Sequence, residues 1–273
     1  MSISNSTAAR APALVHAAWR YRGFIASSVR NEFKSRLSRS RFGAAWVVLQ
    51  PLAQVLIFAT ILSNVLAARL QGVDNRYAYA VYLISGIVCW ALFSEIVQRC
   101  LTVFIDNASL LKRMQFPRIC LPLIAIGIAL VSNMALLVVT LLILPLLGFV
   151  PGVELLWLPA LILLTVALGT GFGLLLGTLN VFMRDVGQVV LVVMQFWFWV
   201  TPIVYPIDIV PAAFRATLAI NPVVPLVGAY HDVLVYGRAP GEGLLWVAVV
   251  AGALLVVSWL MFRRASTEMV DVL

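Results

Sequence analysis

Charge is what this 273-residue chain has least of. Only 11% of its residues are charged, where a soluble domain carries about 25%, and 63% are hydrophobic. Water is therefore not its main solvent. Lysine is nearly absent: Lys34 and Lys112 are the two present, and neither follows a glycine-rich loop, so the chain has no phosphate-cradling P-loop. It also has no HExxH, no GxSxG and no paired carboxylate at a membrane face. ATP hydrolysis and covalent chemistry are not expected of it. Cysteine is sparse and odd in number: Cys89, Cys100 and Cys120 lie in or beside apolar runs. No metal or redox spacing links them, so inert buried thiols and no metal site are expected. The first forty or so residues lack an apolar core and are rich in arginine, so no cleavable signal is expected.

What is abundant is long apolar sequence. A spanning helix needs about 20 mostly apolar residues. Six stretches qualify or come close, at roughly 44–66, 79–99, 119–147, 155–179, 187–205 and 243–262. They are too long and too uniformly apolar for barrel strands, and only helices or closed barrels cross lipid. The expected fold is an all-α membrane protein with six transmembrane helices. Its parts would be an N-terminal region 1–43, one transmembrane domain 44–262 and a tail 263–273. The formal charge of +8 then reads as orientation. With both termini inside, fifteen of the nineteen basic residues are cytoplasmic, and Arg69, Arg76, Arg215 and Arg238 are outside. That bias favours both termini inside and leaves little charge to suggest nucleic-acid binding.

The segments between the runs carry the chemistry. In WRYRGFIASSVRNEFKSR, residues 19–36, Tyr21, Phe24, Ile25, Val29 and Phe33 gather on one helical side. Arg22 and Glu32 intrude on that side. The pattern reads as an amphipathic helix in the membrane interface, either as a simple anchor or as a contact for a partner or a lipid-linked substrate. FIDNASLLKRMQFPR, residues 104–118, offers Asp106 or Asn107 as a cap and Pro117 as a stop. Leu110, Leu111, Met114 and Phe116 stand there among Lys112, Arg113 and Arg118. This apolar knob with a basic rim suits docking into a partner's groove, or a short helix resting on the membrane. Gly169, Gly173 and Gly177, four apart, allow another helix to approach closely. Asp185 is placed to cap the helix that follows.

Polar residues inside spans are costly and informative. Gln50, Gln54 and Asn64 share one face of the first run, and Gln188, Gln195 and Trp199 share one face of the fifth. Either these stripes hydrogen-bond to other helices or they line a wet path. Neither contains an ionisable group, which weighs against a proton-coupled carrier. Residues 196–199 are four consecutive aromatics, followed by Pro202, Tyr205 and Pro206. Trp199 continues the glutamine stripe with Phe196 at its flank, whereas Trp197 and Phe198 point elsewhere. Further on, Pro211 to Ile220, including Phe214, suits a short helix. Asn221-Pro222 then caps a second one running through Tyr230, and both helices are expected to dip back into the membrane.

With these motifs in this order, LLKRMQFPRICLPL, LGTLNVFMRDVGQ and TPIVYP…NPVVPLVGAYHDVLVYG, the chain resembles the permease subunits of ABC-2 type exporters. The resemblance is to the polysaccharide branch, which includes O-antigen, capsule and teichoic-acid permeases. It implies a homodimer in the bacterial inner membrane, driven by two copies of a separate nucleotide-binding subunit that carries the ATP and Mg; no cofactor is expected on this chain. Residues 107–118 would be the helix seated in that ATPase. Pro211, Phe214, Asn221, Pro222 and Tyr230 would belong to periplasmic gate helices. Gln50, Gln54, Asn64, Gln188, Gln195, Phe196, Trp199 and Tyr205 would line the channel. The implied cargo is a lipid-linked glycan on undecaprenyl diphosphate, whose pyrophosphate would meet Arg20, Arg30, Lys34, Arg36, Arg39 and Arg41. The alternatives are an ABC-2 exporter of another glycan, a drug or a small lipid, and, more remotely, a secondary carrier or a scaffold without an ATPase.

Overall fold

A computed structural model describes residues 19–39, 46, 49–50, 52–53, 75, 77–113, 117–150, 152–266 and 268–269. Among them, helices run in the order α1 (Arg22–Arg39), α2 (Ala78–Asp106), α3 (Ala108–Arg113), α4 (Cys120–Leu146), α5 (Leu158–Phe182), α6 (Asp185–Val200), α7 (Ala212–Leu218), α8 (Val223–Leu234) and α9 (Gly243–Ala265). Short 3-10 turns occupy Val153–Trp157 and Ile207–Ile209. The chain is an all-α, multi-pass membrane protein.

Four helices among the described residues are long and apolar enough to cross a membrane: α2, α4, α5 with its preceding 3-10 turn, and α9. The expectation of six is corrected to four. The stretch 44–66 lies almost wholly outside the described residues. The stretch 187–205 fails for a physical reason: its helix, α6, has 16 residues and stops at Val200. At about 1.5 Å per residue it covers roughly 24 Å, short of the ~30 Å of hydrocarbon.

The bundle is organised around α2, the most buried of the four spans. α5 packs along it through glycine. Cβ atoms built at Gly169 and Gly173 would stand 3.2 Å from Ile96 Cβ and 2.7 Å from Cys100 Cβ, and one at Gly177 would overlap the Cys100 carbonyl. The two backbones thus approach as closely as small residues permit. Gly171, on the opposite side of α5, does the same for α9, with Leu254 Cβ 2.8 Å away. α4 is tied to α2 by Asn133, whose Nδ2 donates to the Val88 carbonyl at 2.9 Å. Asn180, at the end of α5, donates to Leu101 O at 2.9 Å and accepts from the Gly187 N–H at 2.9 Å. It therefore satisfies the first turn of α6, where Asp185 makes no capping bond. Cys89, Cys100 and Cys120 are all buried, and none forms a disulfide.

α4 ends in a glycine stop. Gly148 has φ +84; Phe149 N–H donates to Leu144 O at 3.0 Å and Gly148 N–H to Pro145 O at 3.1 Å, the two bonds of a Schellman motif. Asn75 Nδ2 covers one more terminal carbonyl, Leu147 O, at 2.9 Å.

A leucine at Gly173 would be forced into Cys100. Gly173→Leu is expected to cost about 1–3 kcal/mol through overpacking, whereas Gly252→Ala on α9, with nothing within 4 Å of the added carbon, should be neutral or mildly stabilising. Thermal unfolding of both variants in detergent checks this; equal stability would mean that α2 and α5 do not meet through these glycines.

Candidate functional site

Of the expected site residues, those on α6 form the clearest pattern. Val190 and Met194 are buried, and Trp197 and Phe198 half-buried, toward the bundle. The remaining arc divides in two. Gln188, Val192, Gln195 and Trp199 lie at i, i+4, i+7 and i+11 and are all exposed. Val189, Val193, Phe196 and Val200 repeat the spacing one residue on and are also exposed. The helix thus presents a glutamine–aromatic stripe beside a wholly apolar one. Phe196 falls on the apolar stripe. Gln50 is exposed as well; Gln54 and Asn64 lie outside the described residues.

Above α6 the chain leaves the helix while still inside the protein. Thr201, Ile203 and Val204 are at most 2% exposed, and irregular backbone at membrane depth needs a partner for each polar group. Two tyrosines three apart on α2 serve several of its carbonyls. Tyr79 donates its hydroxyl to Val204 O at 2.6 Å, and Tyr82 shares its own between Tyr205 O at 3.1 Å and Pro202 O at 3.3 Å. Tyr205, expected to line a channel, shares its hydroxyl between Trp199 O at 3.0 Å and Val200 O at 3.1 Å at the end of α6.

Asn221 fastens this break to α8. Its Oδ1 accepts from Trp197 Nε1 at 3.0 Å and from the Val223 N–H at 3.0 Å, and its Nδ2 donates to Thr201 Oγ1 at 3.1 Å. Thr201 in turn donates to Trp197 O at 2.8 Å. One side chain therefore caps α8 and holds the top of α6. Trp197 stands edge-on to Phe93 and Phe172, with centroids 5.4 Å and 5.2 Å away; it is a packing residue, unlike its neighbour Trp199.

α8 is buried along most of its length and packs against α2, α5 and α9. Tyr230 is fully buried, its hydroxyl 3.3 Å from Thr165 Oγ1 on α5. His231 is 4% exposed and stacks on Tyr82 with centroids 3.7 Å apart. Burial pushes its pKa down to about 3, against the opposing pull of a hydrogen bond to the Tyr82 backbone, so the ring is neutral at ordinary pH. Asp232 turns the other way and pairs with Arg238 at 2.7 Å. Pro222 is buried; Pro211 and Phe214, on the outer α7 segment, are exposed.

At the opposite end of the bundle, Asn107 donates Nδ2 back to Val103 O at 2.8 Å, and its carbonyl accepts the Leu110 and Leu111 N–H groups at the start of α3. Leu111 is 8% exposed and packs into the chain's own core with Phe104 and Phe262. It is not part of an outward knob. Leu110 and Arg118 are half-buried and Lys112 is exposed; Met114, Phe116 and the Arg113 side chain lie outside the description. Arg20, Arg30 and Lys34 are exposed. Arg36 and Arg39 belong to α1 with side chains outside the description, as is Arg41 altogether. Among the described residues no group of three His, Cys, Asp or Glu is placed to hold a metal.

The sequence did not single out Tyr79, Tyr82 or Thr201. Their signal, two tyrosines at i and i+3 where an apolar run begins, is legible only once the broken helix is seen beside them.

Residues 24–235 match the family model described as ABC-2 type transporter. Similar curated proteins include the O-antigen export system permease protein RfbA of Myxococcus xanthus, 27% identical over 265 residues, covering 94% of this chain and 98% of that one. An O-antigen export system permease protein RfbA of Klebsiella pneumoniae is 26% identical over 246 residues, covering 89% and 92%.

Asn221→Ala leaves the Trp197 and Val223 donors without their acceptor and should cost about 1–3 kcal/mol. Trp197→Phe keeps the ring contacts, loses only the indole bond, and should cost about 1 kcal/mol. Unchanged melting temperatures for both in detergent would contradict the clasp.

Because the folded pKa of His231 lies below its unfolded value, the unfolded chain binds the extra proton between pH 6.5 and about 3. Stability is therefore complete above pH 6.5 and falls as pH drops through that window, by about 2 kcal/mol at pH 5. His231→Phe, which retains the stack on Tyr82, should flatten the difference between pH 7 and pH 5; an equally acid-sensitive variant would exclude His231 as its source.

Proposed function

We propose, from the premise that this chain belongs to the ABC-2 type transporter family, that it is the membrane permease of an ATP-driven exporter of a lipid-linked polysaccharide such as O-antigen. In this reading two copies form the core in the bacterial inner membrane, with both termini cytoplasmic. Two copies of a separate nucleotide-binding subunit supply ATP hydrolysis and are contacted by the segment around α3. The glycan, carried on undecaprenyl diphosphate, passes along α6, and α7 and α8 form the outer gate. The basic residues of α1 and its flanks meet the carrier's pyrophosphate.

The observation that carries the reading is the exposed stripe of Gln188, Gln195 and Trp199 on α6. Two glutamines facing lipid would each leave an amide without partners, a cost of about 1–3 kcal/mol apiece. Against a sugar the same residues are suited. Amides donate to and accept from hydroxyls, an indole face stacks on the apolar face of a pyranose, and no charge is needed for a cargo that must slide. The adjacent stripe of valines and Phe196 suits lipid or a neighbouring helix. The similarity to O-antigen export permeases of two organisms over nearly the whole chain supports the same cargo class.

Trp199→Ala, and separately Gln195→Leu, should lower surface polysaccharide several-fold in a complemented deletion strain, with the permease inserted at normal level and its ATPase still co-purifying. Val193→Ala, on the apolar stripe, should export normally. Full export by the Trp199 and Gln195 variants would rule out this wall as the path; loss of export equal to theirs in Val193→Ala would show that α6 matters for packing and not for cargo.

A further inference from the structure

α8 buries a polar group that its surroundings do not complete. His231 is 4% exposed, and its Nε2 has no hydrogen-bond partner among the described residues. Its place is set by a missing side chain on α2. A Cβ built on Gly86 would stand 2.9 Å from His231 Nε2 and 3.2 Å from the Ile203 carbonyl oxygen. The imidazole therefore fills the gap beside Gly86, where α2, α8 and the backbone after α6 meet. The ring also backs the tyrosine clasp. It stacks on Tyr82 with centroids 3.7 Å apart, and the Tyr82 hydroxyl holds the carbonyls of Pro202 and Tyr205.

The two ends of α8 are held differently. Its start is fixed by Asn221, and Pro225 lies against Gly243 at the start of α9, where an added Cβ would stand 2.7 Å from the Pro225 Cβ. Its last turn, which carries His231, passes to Gly237 at φ +56 and to the exposed Arg238. Displacing that turn brings the ring to water without parting the four spans. The titratable groups nearby on α2 are Tyr79, Tyr82 and Cys89, and after α6 come Tyr205 and Asp208. On α8 and beyond it are Tyr230, Asp232, Tyr236 and Arg238, while Glu154 and Glu242 precede α5 and α9. None of their charges acts on the ring, and burial holds it neutral against the pull of the Tyr82 backbone. In water the same ring takes a proton below pH 6.5. The closed form is therefore complete above that pH, and the displaced form gains as pH falls.

We propose that His231 is an acid-sensitive latch: its protonation displaces the last turn of α8 from Gly86, withdraws the support behind Tyr82 and frees the outer end of α6, while the spans stay packed. The proposal rests on the fold and the clasp and not on the glycan reading, so either can fail alone.

Hydrogen–deuterium exchange of the full-length permease in detergent at pH 7.5 and pH 5.5, with times scaled for the intrinsic rates, tests it. Peptides covering 201–206 and 228–236 should exchange about tenfold faster at pH 5.5, the gain set by a group that titrates at 6.5 when open. Peptides from the glycine-packed part of α5, residues 166–178, should not change. His231→Phe, which keeps the stack, should abolish the acid gain in both segments. Tyr82→Phe keeps the stack and loses the hydroxyl; it should expose 201–206 at both pH values and leave the acid gain at 228–236, an independent reading if the His231 variant does not fold. No acid gain in the natural protein, a gain that extends to α5, an equal gain in His231→Phe, or unchanged protection of 201–206 in Tyr82→Phe would overturn the proposal.

Discussion

The structure depends on how a broken helix is satisfied inside a membrane protein. α6 stops at Val200, and after the last helical bond, from Thr201 N–H to Trp197 O, the backbone continues irregularly to Val204 while still buried. Each of its carbonyls would cost several kcal/mol if left unpaired in hydrocarbon. The hydroxyls of Tyr79 and Tyr82 donate to the carbonyls of Val204, Pro202 and Tyr205, the Ile203 N–H donates to the Thr201 carbonyl, and Asn221 holds the Thr201 hydroxyl. Because both tyrosines lie on α2, the most buried span, the break is held against the centre of the bundle. α8 can then lie back among α2, α5 and α9 with Tyr230 and His231 enclosed.

This arrangement ties the two elements that the transport reading assigns to wall and gate. Trp197 belongs to α6 and Val223 to α8, and both donate to the same oxygen of Asn221. The top of α6 and the start of α8 are therefore held by one side chain. Trp199 and the glutamines lie on the exposed arc, since Trp197 packs on the opposite side against Phe93 and Phe172. Four consecutive aromatics thus divide their work by direction: Trp197 and Phe198 pack inward, Trp199 lies on the polar stripe, and Phe196 on the apolar one.

Much of this was legible in the sequence because length and hydropathy suffice for long spans. α2, α4, α5 and α9 appear where apolar runs predict them, and Asn221-Pro222 marks the start of α8 through local capping chemistry. Of the two further apolar runs, 187–205 reads through the prolines that follow α6 and joins a 16-residue helix to a buried turn, and 44–66 lies almost wholly outside the described residues. Tertiary roles were not legible. Asn180 caps α6 from seven residues upstream of the N–H it accepts, Leu111 turns into the core although its loop looks exposed, and Tyr79 and Tyr82 serve a segment more than a hundred residues away. Pattern reading sees neighbours along the chain, whereas these bonds join positions that only the fold brings together.

The central claim is that one arc of α6 faces a wet path and the next faces an apolar environment. Single cysteines placed at Gln188, Gln195 and Trp199, and in parallel at Val189, Val193 and Val200, can be challenged with a membrane-impermeant maleimide in the assembled exporter after Cys89, Cys100 and Cys120 are replaced. The account predicts labelling at the first three positions and little at the second three. Equal labelling of both sets, or protection of the glutamine stripe with reaction on the valine stripe, would contradict it.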